Sequence, residues 1–407
     1  MLYYLPTKTT TTRSSEQGAV LVLVAILIPV FMGFAGLAID VGYLFVEKRK
    51  LQSAVDAVAL ACTNQLQRGK TCDADNPEVL DVQSLYGMPW SAFVLSTPTA
   101  NQVRATASQN VPTFFMKVLG FTAVPIQATS TAEFRPTCVY ALAASGASSV
   151  ATGTSANLQM PNCGAFVHSS DAAAFNVITG STFAASYIDV VGGKVGGGMV
   201  TPVPMVQVAG IGDPLAALPA PVPGACNYID YTNSGNQDVT LNPGVYCGGI
   251  TIKLKPVVTF NPGVYYLVGG GLKSGAGYSS FIGSNVTFYN TYNGTYAYGP
   301  ILIGENGPLF QLSAPTSGPL KGVLFFQDRT AMGADSVFGG GSAAQIRMSG
   351  LLYFKTTGVS FNGGSASIGA PYTTIVAKNV TFNGATRINF QAGTTWAPAS
   401  GPVRLVQ

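Results

Sequence analysis

Residues 36–61 read GLAIDVGYLFVEKRKLQSAVDAVALA. A long apolar run ends here at Asp40, and the chain continues directly into an amphipathic pattern. The reading of this joint decides the architecture, because an export signal would stop here and a working membrane helix would carry on. Downstream, Leu51, Val55, Val58, Cys62 and Leu66 recur at helical spacing, with Lys48, Gln52, Asp56 and Thr63 on the opposite side. That period predicts an amphipathic helix. Neither Pro nor Gly falls between Tyr43 and Arg68, so the helix is expected to continue the apolar one. Its stripe of Leu51, Val55, Val58 and Leu66 has two candidate partners, a neighbouring subunit or the chain's own next unit.

Upstream, Gly18 to Ile39 carries no charge. At about 1.5 Å per residue it covers roughly 33 Å, enough to cross a hydrocarbon core of about 30 Å. A secretory signal has a shorter apolar core, about 7–15 residues, and then a small-residue cleavage site. FAGLA (34–38) resembles such a site, so cleavage is the alternative to an uncleaved anchor. Ala25, Pro29, Gly33, Gly36 and Asp40 share one helical face, and small residues let a second membrane helix approach closely. Gly and Pro are also simply frequent in such helices. Asp40 is expected at the far interface, where water hydrates a carboxylate without a buried partner.

The 407 residues allow two or three domains. Charged residues make up 9%, against about 25% in ordinary soluble domains. With 48 Gly, 18 Tyr and 22 Phe, this is the balance of an exported β-rich protein. The net charge of +4 comes without a basic stripe, so nucleic acid is not an expected partner. Cys62, Cys72, Cys138, Cys163, Cys226 and Cys247 include no CxxC pair, which argues against zinc or thiol redox chemistry. Their spacing suits local disulfides formed outside the cytoplasm, Cys62–Cys72, Cys138–Cys163 and Cys226–Cys247. About fifteen pairings of six cysteines are open on sequence alone. Lys8 and Arg13 before the span are outweighed by Lys48, Arg49 and Lys50 after it, which runs against the usual orientation rule. The cysteines and the Gly-rich remainder nevertheless assign everything after the span to the periplasmic side.

Residues 69–98, with Pro77, Gly87 and Pro89, read as loop. NQVRATASQ (101–109) alternates as a strand, VPTFFMKVLGF (111–121) reads as a short helix, and VPIQATSTAEF (124–134) as another strand. The run GAVLVLVAILIPVFMGFAGLAIDVG, then LFVEKRKLQSAVDAVALA, VPTFFMKVLGF and IQATSTAEF, resembles the N-terminal region of TadG-like proteins of the Flp/Tad (type IVc) pilus-assembly systems of bacteria. The likeness covers residues 13–135. It implies a bitopic inner-membrane or pseudopilin-like component that acts by assembly, with other Tad pilus or pseudopilin subunits, inner-membrane assembly proteins and membrane lipid as partners. Prepilins cut by a dedicated peptidase carry Gly followed by Glu at the fifth mature position. Gly18 is followed by AVLVL, so that processing does not carry over.

Beyond Cys138 the chain turns small and polar, and residues 209–228 carry Pro214, Pro219, Pro221 and Pro223, as in a rigid extended connection. LNPGVYCGG (241–249) is echoed by FNPGVYYLVGG (260–270). KPVVTFN (255–261), SNVTFYN (284–290), TGVSFNG (357–363) and KNVTFNG (378–384) share a V-[ST]-F core. Short repeats with Gly and Asn corners predict a solenoid of parallel strands whose apolar residues stack coil on coil. An antiparallel sandwich is the rival. The expected fold is mainly β with an N-terminal α/α+β part: a long transmembrane helix, a small pilin-like α+β unit and a C-terminal right-handed parallel β-helix-like solenoid. The expected parts are a cytoplasmic tail (1–17), the membrane helix and its continuation (18–68), the TadG-like α+β unit (69–137), a Gly/Pro-rich disulfide-tied region (138–228) and the β-helix-like domain (229–407).

Candidate chemistry is sparse. His168 in AFVHSSDAAA is the single histidine, and neighbours along one strand do not make a triad, which is a three-dimensional arrangement. One His also argues against a multi-His metal site. Glycosidases need paired carboxylates, and the β region offers few: Asp230, Asp238, Glu305, Asp335 and Asp328 of LFFQDRT, each more simply a strand-end residue. VVGGKVGGGMV lacks the spacing of a phosphate loop and reads as a flexible turn. The sequence thus predicts no catalytic residue, cofactor or metal. It predicts a structural component of a Tad pilus system in the bacterial inner membrane, single-pass, with its bulk periplasmic or incorporated in the pilus. The alternatives are a tip or surface adhesin that binds a glycan through exposed aromatic residues, and a β-helix polysaccharide enzyme.

Overall fold

One unbroken helix, α1 (Glu16–Gln67), carries the chain through the joint in the computed structural model, and Pro29 lies inside it. Its 52 residues extend roughly 80 Å at about 1.5 Å per residue. The structure describes residues 16–67, 71–99, 101–275, 279–303, 309–340, 345–363, 367–368, 373–384, 387–389 and 400–406. The expected N-terminal tail with Lys8 and Arg13, and Glu305 in the β region, lie outside the described residues. Side chains from Val20 to Ala35 are all exposed, whereas Leu51, Ala54, Val55, Val58, Ala59 and Cys62 are buried and Leu66 is half-buried. A single helix therefore changes surface along its length, from apolar and bare to amphipathic and covered. Among the described residues it is the one helix long and apolar enough to cross a membrane.

The cover comes from the chain's own α+β unit, formed by residues up to 63 with 71–133. Strands β1 (Phe93–Ser96), β2 (Gln102–Pro112) and β3 (Ala123–Ala141) pair antiparallel, with β2 central. Val103, Ala105 and Ala107 of β2 and Ala128 and Ala132 of β3 are buried at alternate positions, as one face of a pleated strand requires. The helix lies along β3: Lys48 Nζ donates to the Gln127 carbonyl, Gln52 Nε2 to that of Thr129 at 3.3 Å, and Thr63 Oγ1 to that of Ala132 at 3.3 Å. Thr63 was expected on the polar side and is buried instead, its hydroxyl also bonded to the Ala59 carbonyl at 2.7 Å. A disulfide joins Cys62 to Cys72.

Two local expectations in this unit change. Residues 77–86, read as loop, form helix α2 (Pro77–Tyr86). Asn76 caps it by accepting the Glu78 N–H at 2.9 Å, Pro77 opens it, and Gly87 closes it at φ 66°. The Pro and Gly taken as breakers are its start and stop signals. The helix expected at 111–121 shrinks to one 3₁₀ turn, Met116–Leu119, at the tip of the β2–β3 hairpin. Pairing from Gln102↔Glu133 to Pro112↔Ala123 absorbs the flanking residues.

Residues 134–404 form the second unit, and its described strand pairings are parallel. This sets aside the antiparallel sandwich. Three ladders recur in chain order. One runs through Gly244–Ile252, Gly263–Val268, Val286–Thr291, Val323–Gln327, Gln345–Phe354 and Thr373–Ala377. A second passes through Leu272–Ser274, Ile301–Ile303, Ser336–Gly340, Val359–Gly363 and Val380–Gly384. The third includes Val239–Leu241, Val257–Phe260, Ser280–Gly283 and Leu309–Ser313. Asparagines stack along the ladders. Just beyond the strand ends Asn261 Nδ2 donates to Asn242 Oδ1 at 2.8 Å, 19 residues away, and within the paired strands Asn383 Nδ2 donates to Asn362 Oδ1 at 2.9 Å, 21 residues away. Rings stack inside, Tyr228 on Tyr246 (4.4 Å), Tyr265 on Phe288 (5.3 Å), Phe338 on Phe361 (5.5 Å) and Phe361 on Phe382 (5.5 Å). The paired glycines of the two NPGVY echoes also meet, because a Cβ on Gly270 (φ 67°) would lie 1.9 Å from the Gly248 carbonyl. Not every V-[ST]-F core is an equivalent repeat. Those at 359–361 and 380–382 pair in register, whereas those at 258–260 and 286–288 belong to different ladders.

The order of the stack differs from the order of the chain. The last residues of β3 pair with Gly164–Val167, then Ile188–Val190, then Met205–Val206. On its other side the same segment pairs with Thr373–Ala377, by Ile375↔Val139 to Ala377↔Ala141. Val380–Gly384 likewise pairs with Val150–Thr152, and Arg387–Asn389 with Asn157–Met160. The ladders therefore cross the boundary expected at 228/229 and join both regions in one core. Two further disulfides, Cys138–Cys163 and Cys226–Cys247, lie within this unit.

Candidate functional site

Two arrangements gather the polar groups that the sequence singled out. The first is at the joint in α1. Asp40 is buried at 1% exposure. Its Oδ1 accepts the Phe114 N–H at 2.8 Å, and its Oδ2 accepts those of Phe115 at 2.8 Å and Met116 at 2.6 Å. These three consecutive donors enter the 3₁₀ turn at the hairpin tip, where backbone N–H groups converge as an anion nest. The carboxylate is thus met by the protein rather than by water, contrary to the sequence expectation. One turn earlier, Gly36 is covered by Phe115, whose Cγ would lie 2.7 Å from a Cβ built there. Phe114 meets Tyr43 edge-on, with ring centroids 5.4 Å apart. Of the small-residue face, Gly36 and Asp40 are therefore occupied by the chain's own hairpin, while Ala25, Pro29 and Gly33 stay bare. Nothing near position 40 in sequence announces the partner, which is 74 to 76 residues away. The available signal was energetic, since an acid within an apolar helix needs donors.

The second arrangement is a strap. Val208, Ile211, Leu215 and Leu218 pack along an outer row formed by Phe166, Tyr140, Val376, Tyr353, Phe326 and Tyr289. Polar groups pin it at intervals. The Tyr140 hydroxyl donates to the Ile211 carbonyl at 3.0 Å, Tyr353 donates to Asp213 Oδ2 at 2.6 Å, and Lys355 approaches the same carboxylate at 3.8 Å. Arg329 Nη2 donates to the Leu215 and Leu218 carbonyls at 2.7 and 2.6 Å, and its Nε to the Tyr353 hydroxyl at 3.0 Å. Its guanidinium also lies over Phe326, 5.1 Å from the ring centroid. Burial, chiefly, and the Asp213 charge push the Tyr353 phenol up, so it stays a neutral donor.

Asp328 and His168, the two candidates nearest the strap, have structural settings of their own. Asp328 Oδ1 accepts the Thr330 N–H at 2.9 Å and its hydroxyl at 2.7 Å, while Oδ2 accepts from Thr291 at 2.7 Å and Tyr289 at 3.3 Å. Burial opposes its charge, but these hydrogen bonds outweigh it and hold the carboxyl below its usual range. Such a low-lying carboxylate is a poor general acid. His168 lies beside Gly210 under the strap and its Nδ1 is buried without a partner. Neither neighbour in HSSD reaches it: Ser169 Oγ bonds the Gly146 carbonyl at 2.7 Å, and Asp171 Oδ1 accepts the Ala173 N–H at 2.8 Å. VVGGKVGGGMV is not a flexible turn. Gly192 and Gly193 donate to the Ser169 and Asp171 carbonyls at 2.8 and 2.9 Å, and strands Lys194–Val195 and Met199–Thr201 follow. Among the described residues no group of His, Cys, Asp or Glu is placed to hold a metal.

A family model described as Flp pilus-assembly TadE/G-like matches residues 18–62, and a second, described as Tad-like Flp pilus-assembly, matches residues 47–132. They overlap across the amphipathic half of α1, and together they span the helix, α2, the hairpin and Asp40 with its donors. No curated protein and no solved structure matches the chain.

Proposed function

We propose, from an N-terminal region of the TadG-like, Tad pilus-assembly family, that this chain is a membrane-anchored structural component of a Tad pilus system. The observation that carries the reading is the Asp40 clamp. It fixes the hairpin tip to the apolar helix within the matched region, so that a pull on the α+β unit is passed to the anchor instead of being lost at a flexible joint. Lateral association with pilin-like or other membrane helices then falls to the bare part of the small-residue face, Ala25, Pro29 and Gly33. We read the three parallel ladders of residues 134–404, with their stacked asparagines and rings, as a β-helix-like solenoid displayed on the periplasmic side. Its role is structural rather than catalytic.

The adhesin alternative draws on an aromatic row open to a glycan, and the outer row of this unit is covered by residues 208–218. The enzyme alternative draws on paired free carboxylates, whereas Asp238, Asp328 and Asp335 each accept a backbone N–H, from Val257, Thr330 and Gly358. Fractionation of cells into sheared pili, inner membrane and soluble material tests the assembly reading. The chain is expected in the inner membrane or along purified pili, and its deletion is expected to reduce piliation. Recovery in the soluble fraction alone, with normal pili in the deletion strain, would overturn the proposal.

A further inference from the structure

The tip of the β2–β3 hairpin is more apolar than an aqueous loop should be. Phe114, Phe115, Val118, Leu119 and Phe121 are all exposed, Val118 at 84% and Leu119 at 66%. Five large apolar side chains within eight consecutive positions (114–121) form the kind of contiguous patch that marks an interaction surface. The backbone beneath them is tightly tied. Thr113 N–H donates to the Thr122 carbonyl at 3.1 Å, and the Asp40 carboxylate takes three amides of the turn. The side chains are therefore presented by a fixed scaffold.

The patch is continuous with the apolar surface of α1. Phe115 lies on Gly36 and Phe114 on Tyr43, and exposed apolar residues of the helix continue beyond Asp40 through Val41, Phe45 and Val46. From Val20 to Val46 the helix is roughly 40 Å long at about 1.5 Å per residue, about 10 Å more than the hydrocarbon core. The excess lies at the level of the hairpin tip, the depth at which aromatic residues anchor proteins among lipid headgroups. Lys117 sits within the tip, and exposed Lys48, Arg49 and Lys50 follow on the helix. Of the two acids nearby, Asp40 is enclosed, with both its oxygens occupied by backbone donors. Glu47 is paired with Lys50 at 2.8 Å, so Lys117, Lys48 and Arg49 keep the rim net positive. That leaves an apolar wedge rimmed by positive charge, the complement of an anionic phospholipid surface.

We infer that residues 114–121 are a second membrane-contacting element, a hairpin wedge that inserts beside α1 into the headgroup–acyl boundary of a leaflet containing anionic phospholipid. The inference rests on α1 crossing the membrane. Asp40 then marks no water boundary but lies within the interfacial layer, shielded by the wedge it holds.

The test places single tryptophans in the full chain, with Trp90→Phe and Trp396→Phe as background, reconstituted in phosphatidylethanolamine–phosphatidylglycerol vesicles with or without lipids brominated near the headgroup. Phe34→Trp reports the span, Val118→Trp the wedge, and Val222→Trp serves as a control in the second unit. Val118→Trp is expected to show a blue-shifted emission and a roughly twofold or greater loss of intensity with brominated lipid, as for a ring at the headgroup–acyl boundary. Val222→Trp should show neither. Quenching of Phe34→Trp without quenching of Val118→Trp overturns the wedge and leaves the span standing. If Val118→Trp is then blue-shifted in proportion to the protein-to-lipid ratio, a second copy covers the patch instead. If neither Phe34→Trp nor Val118→Trp is quenched, both the span and the wedge are refuted.

Discussion

Gly36 and Asp40 are adjacent turns of one helix and do one job, the docking of the hairpin tip. Gly36→Ala should raise helix propensity by up to about 1 kcal/mol, yet its Cβ would meet the Phe115 ring at 2.7 Å, and overpacking costs about 1–3 kcal/mol. The net effect is expected to be a lower unfolding temperature in detergent. Phe115→Ala should suppress it, giving a double-mutant coupling of opposite sign to the single effect. Purely additive changes would show that the two residues do not meet. Asp40→Ala should speed hydrogen exchange at Phe114, Phe115 and Met116 by about tenfold or more, because their acceptor is gone. Asp328 carries a pH dependence. Its folded carboxyl binds a proton less readily than the unfolded one, since its hydrogen bonds outweigh the burial that opposes its charge. The stabilisation is therefore complete above the unfolded value of about 4 and is lost as pH falls through the lower folded value. Acid titration of Asp328→Asn beside the parent should remove that component below about pH 4 and leave neutral-pH behaviour with a constant offset. Superimposable acid transitions would count against the carboxylate's role.

Elements were legible wherever periodicity or local signals ran uninterrupted. The stripe of Leu51, Val55 and Val58 gave the helical period, and the alternation of residues 101–109 became the core of β2. Helix α2 carries its signals in Asn76, Pro77 and Gly87, but Pro and Gly punctuate loops as well as helix ends, and only their positions at N1 and C′ distinguish the two. The strap lies at the other extreme. Pro214, Pro219, Pro221 and Pro223 foretold an extended connection, but its docking depends on a row assembled from six separated strands, which no local pattern encodes. Arg329 is the residue that makes this docking specific, since one guanidinium reaches two strap carbonyls and the Tyr353 hydroxyl while lying over Phe326. Lys presents no planar fork, so Arg329→Lys should behave much like Arg329→Ala. Both are expected to weaken strap docking by about 1.5–3 kcal/mol, the worth of hydrogen bonds to a charged group. Limited proteolysis would read this as faster cleavage within residues 209–222. A lysine variant as resistant as the parent would assign the docking to the apolar contacts alone.

At the scale of the second unit, the chain enters its stack in the middle. Residues 139–206 run to one end, the strap returns, and residues 228–384 come back to meet the entry strands by Ile375↔Val139 and Val380↔Val150. The parallel character was readable from the short V-[ST]-F strands and their Asn and Gly corners. The joining of the two halves was not, since it pairs strands more than two hundred positions apart in the chain. This seam holds without local connectivity: the Leu142 N–H reaches the Ala377 carbonyl at 2.7 Å, the Val380 N–H reaches that of Ser149 at 2.8 Å, and buried Val139, Val150, Ile375 and Phe382 share one core. None of the three disulfides bridges it, because Cys138–Cys163 lies on one side and Cys226–Cys247 on the other. A single cut in the strap is therefore a clean test of what holds the halves together. A protease site placed at Val222, which is 85% exposed, should yield two fragments that co-elute under native conditions, because ladder pairing and the buried seam persist after the strap is severed. The nicked protein should unfold at a lower denaturant concentration than the intact chain, since dissociation now gains the freedom that the tether had withheld. Fragments that separate without denaturant would show that the strap, and not the seam, keeps the two halves in register.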